Sequence, residues 1–572
     1  MTADTLPVAP RPAGFRPTVL VRAARRVWLT AGALLLCSLP LSAAALPAPA
    51  ADPEASFATV LEERLADTGT AVDPVVMLLY QRRSFRAAWD DPARVSELLS
   101  LLENSADHGL DARDFAPAML RTVAAADADS LAAQVERELL FSASLARFVQ
   151  QVRHGKLDPR QLYADWNYSL PPGGYERAQT LESVLAAPTL QQAVDAHLPA
   201  PQQYRALQQA LRVQRALTAA PPARLAGGAA LRPGDRGARV AALRARLQAE
   251  HAAGGALPDL SGGDASRFDE TLAEAVRRFQ RRHGLKPDAV VGQQTVDALN
   301  VAPQVRVDQL RANLERLRWT AADLQGDRLE VDLTGYHAHL WIGGEAVWSA
   351  RVIVGRPARA TPALLDSLQH VVLNPKWVVP PTILREDVLP RLSSDPDYLA
   401  RQRMRVVDRS GQTVDPQAID WSDARRARAA YQLVQESGAD GSLGVVKFAL
   451  ANDYAIFLHD TNARRQFGRA QRALSSGCVR VEHPLELARL LLAADAQDQW
   501  TDAALRSALA SGRTRTIPVL HGLPVLLNYF TVVADDDGEV QFRADIYDRD
   551  RALVGALGRP AEAVYATFAP AH

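Results

Sequence analysis

The chain has 572 residues, more than a single hydrophobic core usually holds, and this length predicts three or four domains. Its 65 basic and 65 acidic residues give a formal net charge of zero, and no basic face indicates nucleic-acid binding. There are 2 cysteines, Cys37 and Cys478, too few for a disulfide framework.

Residues 1–45 have the pattern of an export signal. Arginines precede an apolar run at 27–39, and Ala43-Ala44-Ala45 provides a small-residue cleavage site. The run is shorter than a typical membrane span. Cleavage, retention as an anchor and lipidation at Cys37 therefore stay open, and a membrane tether exists only if the segment is retained. Residues 46–54, rich in proline and alanine, are predicted to be a flexible tether.

Residues 55–222 are predicted to form a helical domain, because apolar residues recur at helical spacing. Examples are Phe57, Leu61, Leu65, Leu145, Phe148 and Val152. His108 and His154 each precede a glycine at a predicted helix end, where we interpret them as part of a cap and not as ligands. Residues 223–230 are predicted to be a linker.

Residues 231–302 contain a glycine turn before an amphipathic helix, and then the pattern repeats. The apolar and turn positions are Gly234, Gly237, Val240, Leu243, Leu247, Phe279, Gly284, Gly292 and Leu299. This pattern resembles the small three-helix peptidoglycan-binding module. Asp288-Ala289 stands where that family has Asp-Gly, and the Gly-rich loop 252–266 is predicted to move or to bind. A packing wedge between domains is the alternative interpretation.

Residues 303–548 are predicted to form a β-rich domain, with a strand-rich pattern from Val305 onward. Alternating residues around Gly343-Gly344 predict a hairpin, and a second hairpin is predicted around Asp537-Gly538. Residues 383–444 are polar and Arg-rich and are predicted to be an inserted lid, and 549–572 to be a C-terminal tail.

No metal site is predicted. His337 and His339 share one face of a predicted strand, but no third ligand is near them in the sequence. No cofactor is predicted either.

The candidate catalytic residues lie in two segments. A strand-like run ends at His459-Asp460, and Cys478 follows nineteen positions after His459, within Ser475-Ser476-Gly477-Cys478-Val479-Arg480. Backbone N–H groups of Ser476 and Gly477 are predicted to form an oxyanion hole. A nearby imidazole and the cation of Arg480 favour a reactive thiolate. The alternative is a small buried cysteine and a core histidine.

At these residues the sequence resembles the L,D-transpeptidases, whose YkuD-type domain has a histidine, a similar spacer and a Ser/Thr-His-Gly-Cys block. Ser476 stands where smaller relatives have histidine, and Phe457 where some have tyrosine. The resemblance implies that Cys478 is the nucleophile and His459 the general base, with Asp460 as a possible orienter of the imidazole.

Four further residues are candidates for substrate binding: Arg480, Trp377, Phe457 and Ser475. Arg480 either binds a substrate carboxylate or forms a structural salt bridge. Trp377 lies in the stiff segment 374–381, where it either borders the substrate groove or packs in a core.

The resemblance implies a multidomain α+β protein: a helical scaffold domain, the peptidoglycan-binding module and a β-rich L,D-transpeptidase catalytic domain with a lid. It implies an exported, periplasmic, cell-wall-associated enzyme that forms 3-3 cross-links between peptidoglycan stem peptides through a cysteine thioester. The implied partners are stem peptides and glycan, and the implied inhibitors are carbapenems. An L,D-carboxypeptidase, an enzyme attaching protein to the wall and a catalytically silent wall-binding scaffold are the alternatives.

Overall fold

The computed structural model describes residues 53–67, 72–163, 166–168, 173–392, 394–395, 397–421, 429–452, 454–494, 500–535 and 537–560. The predicted signal, Cys37 and nearly all of the predicted tether lie outside the described residues. Within these ranges, no helix has both the length and the apolar character needed to cross a membrane.

Helices dominate the chain as far as residue 320. Their bounds are α1 Pro53–Asp67, α2 Pro74–Arg82, α3 Pro92–Glu103, α4 Pro117–Ala125, α5 Leu131–His154, α6 Gly174–Ala186, α7 Leu190–Ala196, α8 Pro201–Ala219, α9 Ala238–Ala252, α10 Glu270–Arg282, α11 Gln293–Leu299 and α12 Pro303–Thr320. Asp-Pro pairs start α2 and α3, where the Asp73 and Asp91 carboxylates accept backbone N–H bonds. The N-terminal helices enclose large buried side chains such as Tyr80, Phe148 and Tyr204.

Helices α9 to α11 form a small unit with its own apolar core. The loop between α9 and α10 is fixed to that core, because Leu257 and Leu260 are 4% and 2% exposed. Arg244 also donates to the Leu260 and Arg267 carbonyls and pairs with Asp269 at 2.6 Å. Of the two predictions for this loop, movement or binding, these contacts argue against free movement, and binding stays a prediction.

Helix α12 joins the N-terminal helices to the β-rich region and is buried on most sides. Arg318 pairs with Glu315 at 2.9 Å and donates to the Tyr204 hydroxyl at 2.6 Å. Arg316 pairs with Asp550 at 2.5 Å. The prediction of strands from residue 305 onward was wrong here. Buried arginines and glutamates, paired with distant segments, hide the helical apolar periodicity.

The remaining elements are mostly strands. The strands are β1 Arg328–Asp332, β2 His337–Ile342, β3 Glu345–Gly355, β4 Leu364–Leu373, β5 Trp377–Val378, β6 Met404–Asp408, β7 Thr413–Val414, β8 Tyr431–Gln435, β9 Val446–Leu450, β10 Leu458–His459, β11 Ala473–Ser475, β12 Val479–Val481, β13 Arg515–Asn528, β14 Val532–Ala534 and β15 Val540–Phe542. The helices are α13 Pro381–Ile383, α14 Leu389–Leu392, α15 Tyr398–Arg401, α16 Pro484–Ala494, α17 Asp502–Ala510 and α18 Arg549–Leu557.

The main sheet has nine strands in the described part of the chain, in the order β11-β3-β12-β10-β9-β4-β13-β1-β2. Strand β2 also pairs with β3 across Gly343-Gly344, as the hairpin prediction required, and this pairing closes the sheet on itself. Its apolar core includes Val352, Phe448 and Leu458. The fold is thus mixed helical and β, as predicted.

Residues 377–435 include a separate small sheet, β5-β8-β6-β7, inserted between strands of the main sheet. It has its own apolar core, with Val406 and Leu433 at 0% and 1% exposure. We call residues 383–444 the lid segment.

The hairpin predicted around Asp537-Gly538 is present and pairs β14 with β15, while the preceding apolar residues belong to β13 of the main sheet. The prediction of a C-terminal tail differs from the structure. The predicted tail begins with α18, whose Leu553 and Leu557 are buried against α12. Their spacing of four residues places both on one helix face.

We expect the folded protein to lose stability as the pH falls below about 6.5, the ordinary pKa of histidine. Burial, reinforced by nearby arginines, lowers the pKa of His108 and His459 to about 3 and of His154 to about 4. The pKa of His283 is also well below its usual value. The unfolded chain therefore binds protons that the folded chain does not, and stability rises with pH between about 4 and 6.5.

Proton uptake on unfolding measures this effect. Denaturation in urea at pH 5.5 should take up about four protons per chain from these histidines, and the melting temperature should fall from pH 7.5 to pH 5.5. An unchanged melting temperature together with no proton uptake would contradict the buried, neutral state of these rings.

Candidate active site

Strands β10 and β12 lie side by side and run parallel, with Leu458 opposite Val479 and His459 opposite Arg480. Leu458 and Val479 belong to the apolar core of the main sheet. Because side chains alternate between the faces of a sheet, His459, Arg480 and the preceding Cys478 share the other face. The strand pairing therefore puts His459 on β10 and Cys478, the residue directly before β12, on the same side of the sheet.

The His459 side chain is fixed and neutral. The residue is 5% exposed, and its Nδ1 donates to the backbone carbonyl of Asp460. Because a carbonyl oxygen can only accept, Nε2 carries the free lone pair of the neutral ring. Burial, and then the nearby cations of Arg480 and Lys447, lower the pKa of His459 to about 3. The imidazole can therefore accept a proton at Nε2.

Asp460 orients His459 through its backbone carbonyl and not through its carboxylate. The carboxylate accepts N–H bonds from Val445 at 3.0 Å and Thr461 at 2.7 Å, and Arg464 lies 3.3 Å from it. These bonds fix the loops on either side of β9 and β10. Asp460 was predicted to orient His459, and its backbone carbonyl, not its carboxylate, makes the contact with the ring.

The turn before Cys478 is closed by hydrogen bonds of its own. Ser475 Oγ donates to the Cys478 carbonyl at 2.6 Å and accepts the Gly477 N–H at 3.2 Å. Thr361 donates to the Gly477 carbonyl at 2.7 Å. Gly477 has φ +120°, a conformation that favours glycine.

These bonds correct two predictions. Ser475 is 3% exposed and bonds within the turn, so its role is to stabilise the turn and not to contact substrate. The Gly477 N–H is already bonded and is not a free oxyanion donor. Among the described residues, no acceptor is bonded to the N–H of Ser476 or of Cys478. These two N–H groups are the remaining candidates for an oxyanion hole.

Cys478 is a free, partly exposed thiol whose Sγ lies 3.6 Å from the Ala455 carbonyl. Burial raises the pKa of the thiol, while the Phe457 backbone N–H, Lys447 and Arg480 oppose that rise. The resting pair is thus a protonated thiol and a neutral imidazole. Its partial exposure argues against the alternative of an inert, fully buried cysteine.

Lys447 is a site residue that the sequence analysis missed. It lies opposite His459 on β9, and its Nζ is 4.1 Å from the centre of the Phe457 ring. The Phe457 ring is in turn 5.5 Å from the His459 ring. Lys447 and Arg480 therefore flank His459 on neighbouring strands. A lysine within the apolar strand β9 was the signal that could have revealed it.

Arg480 is half-buried and makes one long hydrogen bond, 3.4 Å to Gln466. Its Nε is buried without a hydrogen-bond partner, and no carboxylate pairs with it among the residues that the structure describes. The structure thus gives no support to a structural salt bridge. The guanidinium remains available to an anion.

Arg359 connects the turn before Cys478 to the lid segment. It donates to Ser476 Oγ at 3.0 Å, to Asp387 at 2.5 Å and to Glu386 at 2.6 Å. Both acids belong to the lid segment. Ser476, the residue that replaces the histidine of smaller relatives, thereby serves as an acceptor for Arg359.

Trp377 lies on β5, opposite Gln435, and packs against the apolar core of the small β5-β8-β6-β7 sheet. This packing favours the core interpretation of Trp377 over a contact with substrate.

Comparison with protein families identifies three parts of the chain. Residues 326–515 match the family described as "L,D-transpeptidase catalytic domain". The chain carries an L,D-transpeptidase catalytic domain. Residues 75–211 match the "Scaffold domain" and residues 236–299 match the "Putative peptidoglycan binding domain". His459 and Cys478 both lie within the L,D-transpeptidase match.

A Haemophilus influenzae protein named "Putative L,D-transpeptidase" is 36% identical over 245 residues, which are 43% of this chain and 48% of that protein. The chain thus spans about half the length of this curated relative. A crystal structure of an L,D-transpeptidase from Xylanimonas cellulosilytica covers 53% of this chain and 99% of its own, at 15% identity. Its TM-score of 0.16 is too low to support any argument.

Replacing Lys447 with glutamine should slow alkylation of Cys478 at pH 8. Loss of one cation near the sulfur removes a stabilising interaction with the thiolate, on the order of a threefold to tenfold effect at an effective dielectric constant of about 20. The measurement is the rate of iodoacetamide labelling from pH 6 to 10. Lys447→Arg keeps the charge and should react nearly as the wild type. Equal rates for Lys447→Gln and the wild type would contradict the assignment.

Replacing Arg359 with glutamine should loosen the lid segment. Losing its ion pairs to Asp387 and Glu386, worth about 1 kcal/mol together, should raise the open population about fivefold. Limited trypsin digestion should then cut within residues 383–444 about fivefold faster. Arg385→Gln is the matched control, because Arg385 is exposed and, among the described residues, pairs only with Glu386. Similar cleavage rates in both variants would argue against a specific role of Arg359 in holding the lid segment.

Proposed function

We propose that this protein is a peptidoglycan L,D-transpeptidase that forms 3-3 cross-links through a thioester on Cys478. The observation that supports the proposal is the parallel pairing of β10 with β12, since His459 lies on β10 and Cys478 directly precedes β12, both within residues 326–515. The peptidoglycan-binding match next to it supports peptidoglycan as the substrate. A cell-wall location outside the cytoplasm follows from that substrate.

In the proposed first step, Cys478 Sγ attacks the carbonyl carbon of the third residue of a stem peptide. His459 Nε2 accepts the thiol proton, and the carbonyl oxygen becomes an oxyanion. The N–H groups of Ser476 and Cys478 stabilise it, by about 3 kcal/mol per donor in well-studied sites. The C–N bond to the terminal D-alanine then breaks, His459 returns the proton to the leaving amine, and a thioester remains.

In the proposed second step, the amine of another stem peptide attacks the thioester carbonyl. His459 takes the proton from that amine, the C–S bond breaks, and the sulfur regains a proton as the new amide forms. The pKa of about 3 describes His459 in the resting site. During each step the neighbouring oxyanion or thiolate supplies the negative charge that stabilises the imidazolium.

The cations and the lid segment have distinct proposed roles. Lys447 and Arg480 favour the thiolate, and Arg480, free of a carboxylate partner, binds a carboxylate of the stem peptide. The lid segment covers the cleft and excludes water, which would otherwise hydrolyse the thioester. Arg359 connects the lid segment to the turn before Cys478, since it donates to Glu386 and to Ser476.

A carbapenem should add one covalent adduct to the wild-type protein and none to Cys478→Ala. The other cysteine is the matched control: Cys37→Ala should be labelled as fully as the wild type. His459→Gln should slow adduct formation by about a hundredfold or more, since it removes the general base. Intact-protein mass spectrometry measures all four. An adduct that survives Cys478→Ala would reject Cys478 as the nucleophile.

Product analysis decides between the proposed reaction and its alternatives. Incubation with purified disaccharide tetrapeptide should give 3-3 cross-linked dimers and free D-alanine with the wild type and neither with Cys478→Ala. Tripeptide products alone would instead show an L,D-carboxypeptidase. Retention on sacculi with no thioester would show a catalytically silent scaffold.

A further inference from the structure

A cavity of about 820 Å³, including the space at its open mouth, lies where three parts of the chain meet. One wall is α8 of the N-terminal helices, the second is formed by α9 and α10, and the third is the β14–β15 hairpin. The candidate active site lies on other elements, the β9, β10 and β12 strands. The cavity is therefore a separate feature of the molecule.

One wall of the cavity is a stack of flat rings. The His283 ring lies 4.0 Å from Phe279 and 5.4 Å from Phe542, at interplanar angles of 25° and 16°. The Arg306 guanidinium lies 4.8 Å from the Phe542 ring centre. Burial, with Arg306 and Arg282 nearby, holds the pKa of His283 well below its usual range. The stack thus carries no charge of its own at neutral pH.

The cavity also contains cations that lack an anionic partner. Arg246 donates to the Leu299 carbonyl at 2.8 Å and Arg306 to the Gln309 side-chain oxygen at 2.9 Å, both neutral acceptors. In the described ranges of the chain, neither arginine forms an ion pair. Burial lowers the pKa of both, that of Arg306 to about 10. The charge of Glu250 opposes this lowering, and a bound anion would stabilise both half-buried guanidinium groups further.

The acids of the cavity form no ion pair with these two arginines in the described part of the chain, although the charge of Glu250 acts on both. Glu250 pairs with Arg282 at 2.5 Å, and Glu539 is half-buried on the hairpin. Three arginines and two glutamates line the cavity, so its charge is 3 − 2 = +1. This excess positive charge is shared by Arg246, Arg282 and Arg306, beside the stacked rings.

We propose that this cavity binds a carboxylate-bearing peptidoglycan stem peptide that does not react in the same turnover. Guanidinium groups bind carboxylates in a bidentate manner, and the flat ring wall accepts the apolar faces of short side chains. The occupant follows from the charge and from the peptidoglycan-binding match, which supplies Arg246, Phe279 and Arg282. This inference rests on the proposed function. It adds a second binding site for peptidoglycan, and helix α8 forms part of that site.

Hydrogen–deuterium exchange of the full chain locates the site. The probe is purified disaccharide tripeptide, which lacks the terminal D-alanine and cannot acylate Cys478. Slower exchange is expected in peptides covering 206–217, 279–284 and 538–542, because these segments form the three walls of the cavity.

Two variants test the role of the unpaired cations. In the double variant Arg246→Gln, Arg306→Gln, the probe concentration that gives half-maximal protection should rise at least tenfold. Arg239→Gln is the matched control, because Arg239 lies on the same helix as Arg246 but outside the cavity. Arg239 also donates to a neutral acceptor, the Ala229 carbonyl at 2.8 Å. The control variant should bind the probe as the wild type does.

Two further measurements keep the result decisive. Arg306→Lys retains the charge and should keep part of the binding. This variant separates a loss of binding caused by the missing charge from one caused by misfolding of the double variant. Chitotetraose, a neutral glycan, should give no protection at the cavity. Equal protection by chitotetraose, unchanged binding in the double variant, or no protection at these peptides would each overturn the proposal. Failure of the proposed reaction would appear separately, as an absent adduct at Cys478.

Discussion

The parallel pairing of β10 with β12 is the constraint on which the active site depends. Only a few residues pair, yet the register decides which side chains share a face, because a shift of one residue would turn His459 into the core and expose Leu458. Core burial of Leu458 and Val479 holds that register. Apolar packing on one face of the sheet thus determines the chemistry on the other.

The electrostatics of the site follow from the same pairing. Two cations flank a buried imidazole, and burial raises the pKa of the thiol while lowering that of the histidine. Both groups are neutral at rest, and this arrangement avoids the cost of burying an ion pair before substrate arrives. In the proposed reaction, negative charge that develops on the sulfur or the substrate oxygen would meet Lys447 and Arg480, already in position, without further reorganisation.

The sequence predicted the features that depend on local pattern. The histidine and cysteine segments, the Gly343-Gly344 hairpin and the helical N-terminal region all have short-range signals. It missed features that depend on distant partners. The role of Arg359 depends on its contacts with Ser476, Glu386 and Asp387. That of Lys447 depends on its position opposite His459 on the neighbouring strand. The helix α12 depends on distant partners for its buried charged residues. The bonded Gly477 N–H could not be foreseen either, because turn geometry decides it.

Helix α12 sets a limit on how the parts of this chain move. Arg318 donates to Tyr204 in the N-terminal helices, and Arg316 pairs with Asp550 in the C-terminal helix. Breaking the Arg316–Asp550 pair would leave a buried charge without its partner, at a cost of about 3 to 5 kcal/mol. Movement of the main sheet relative to the N-terminal helices therefore requires breaking buried polar contacts of α12. In the proposed binding mode, these contacts would keep a stem peptide bound at the α8 cavity at a set distance from the Cys478 sulfur.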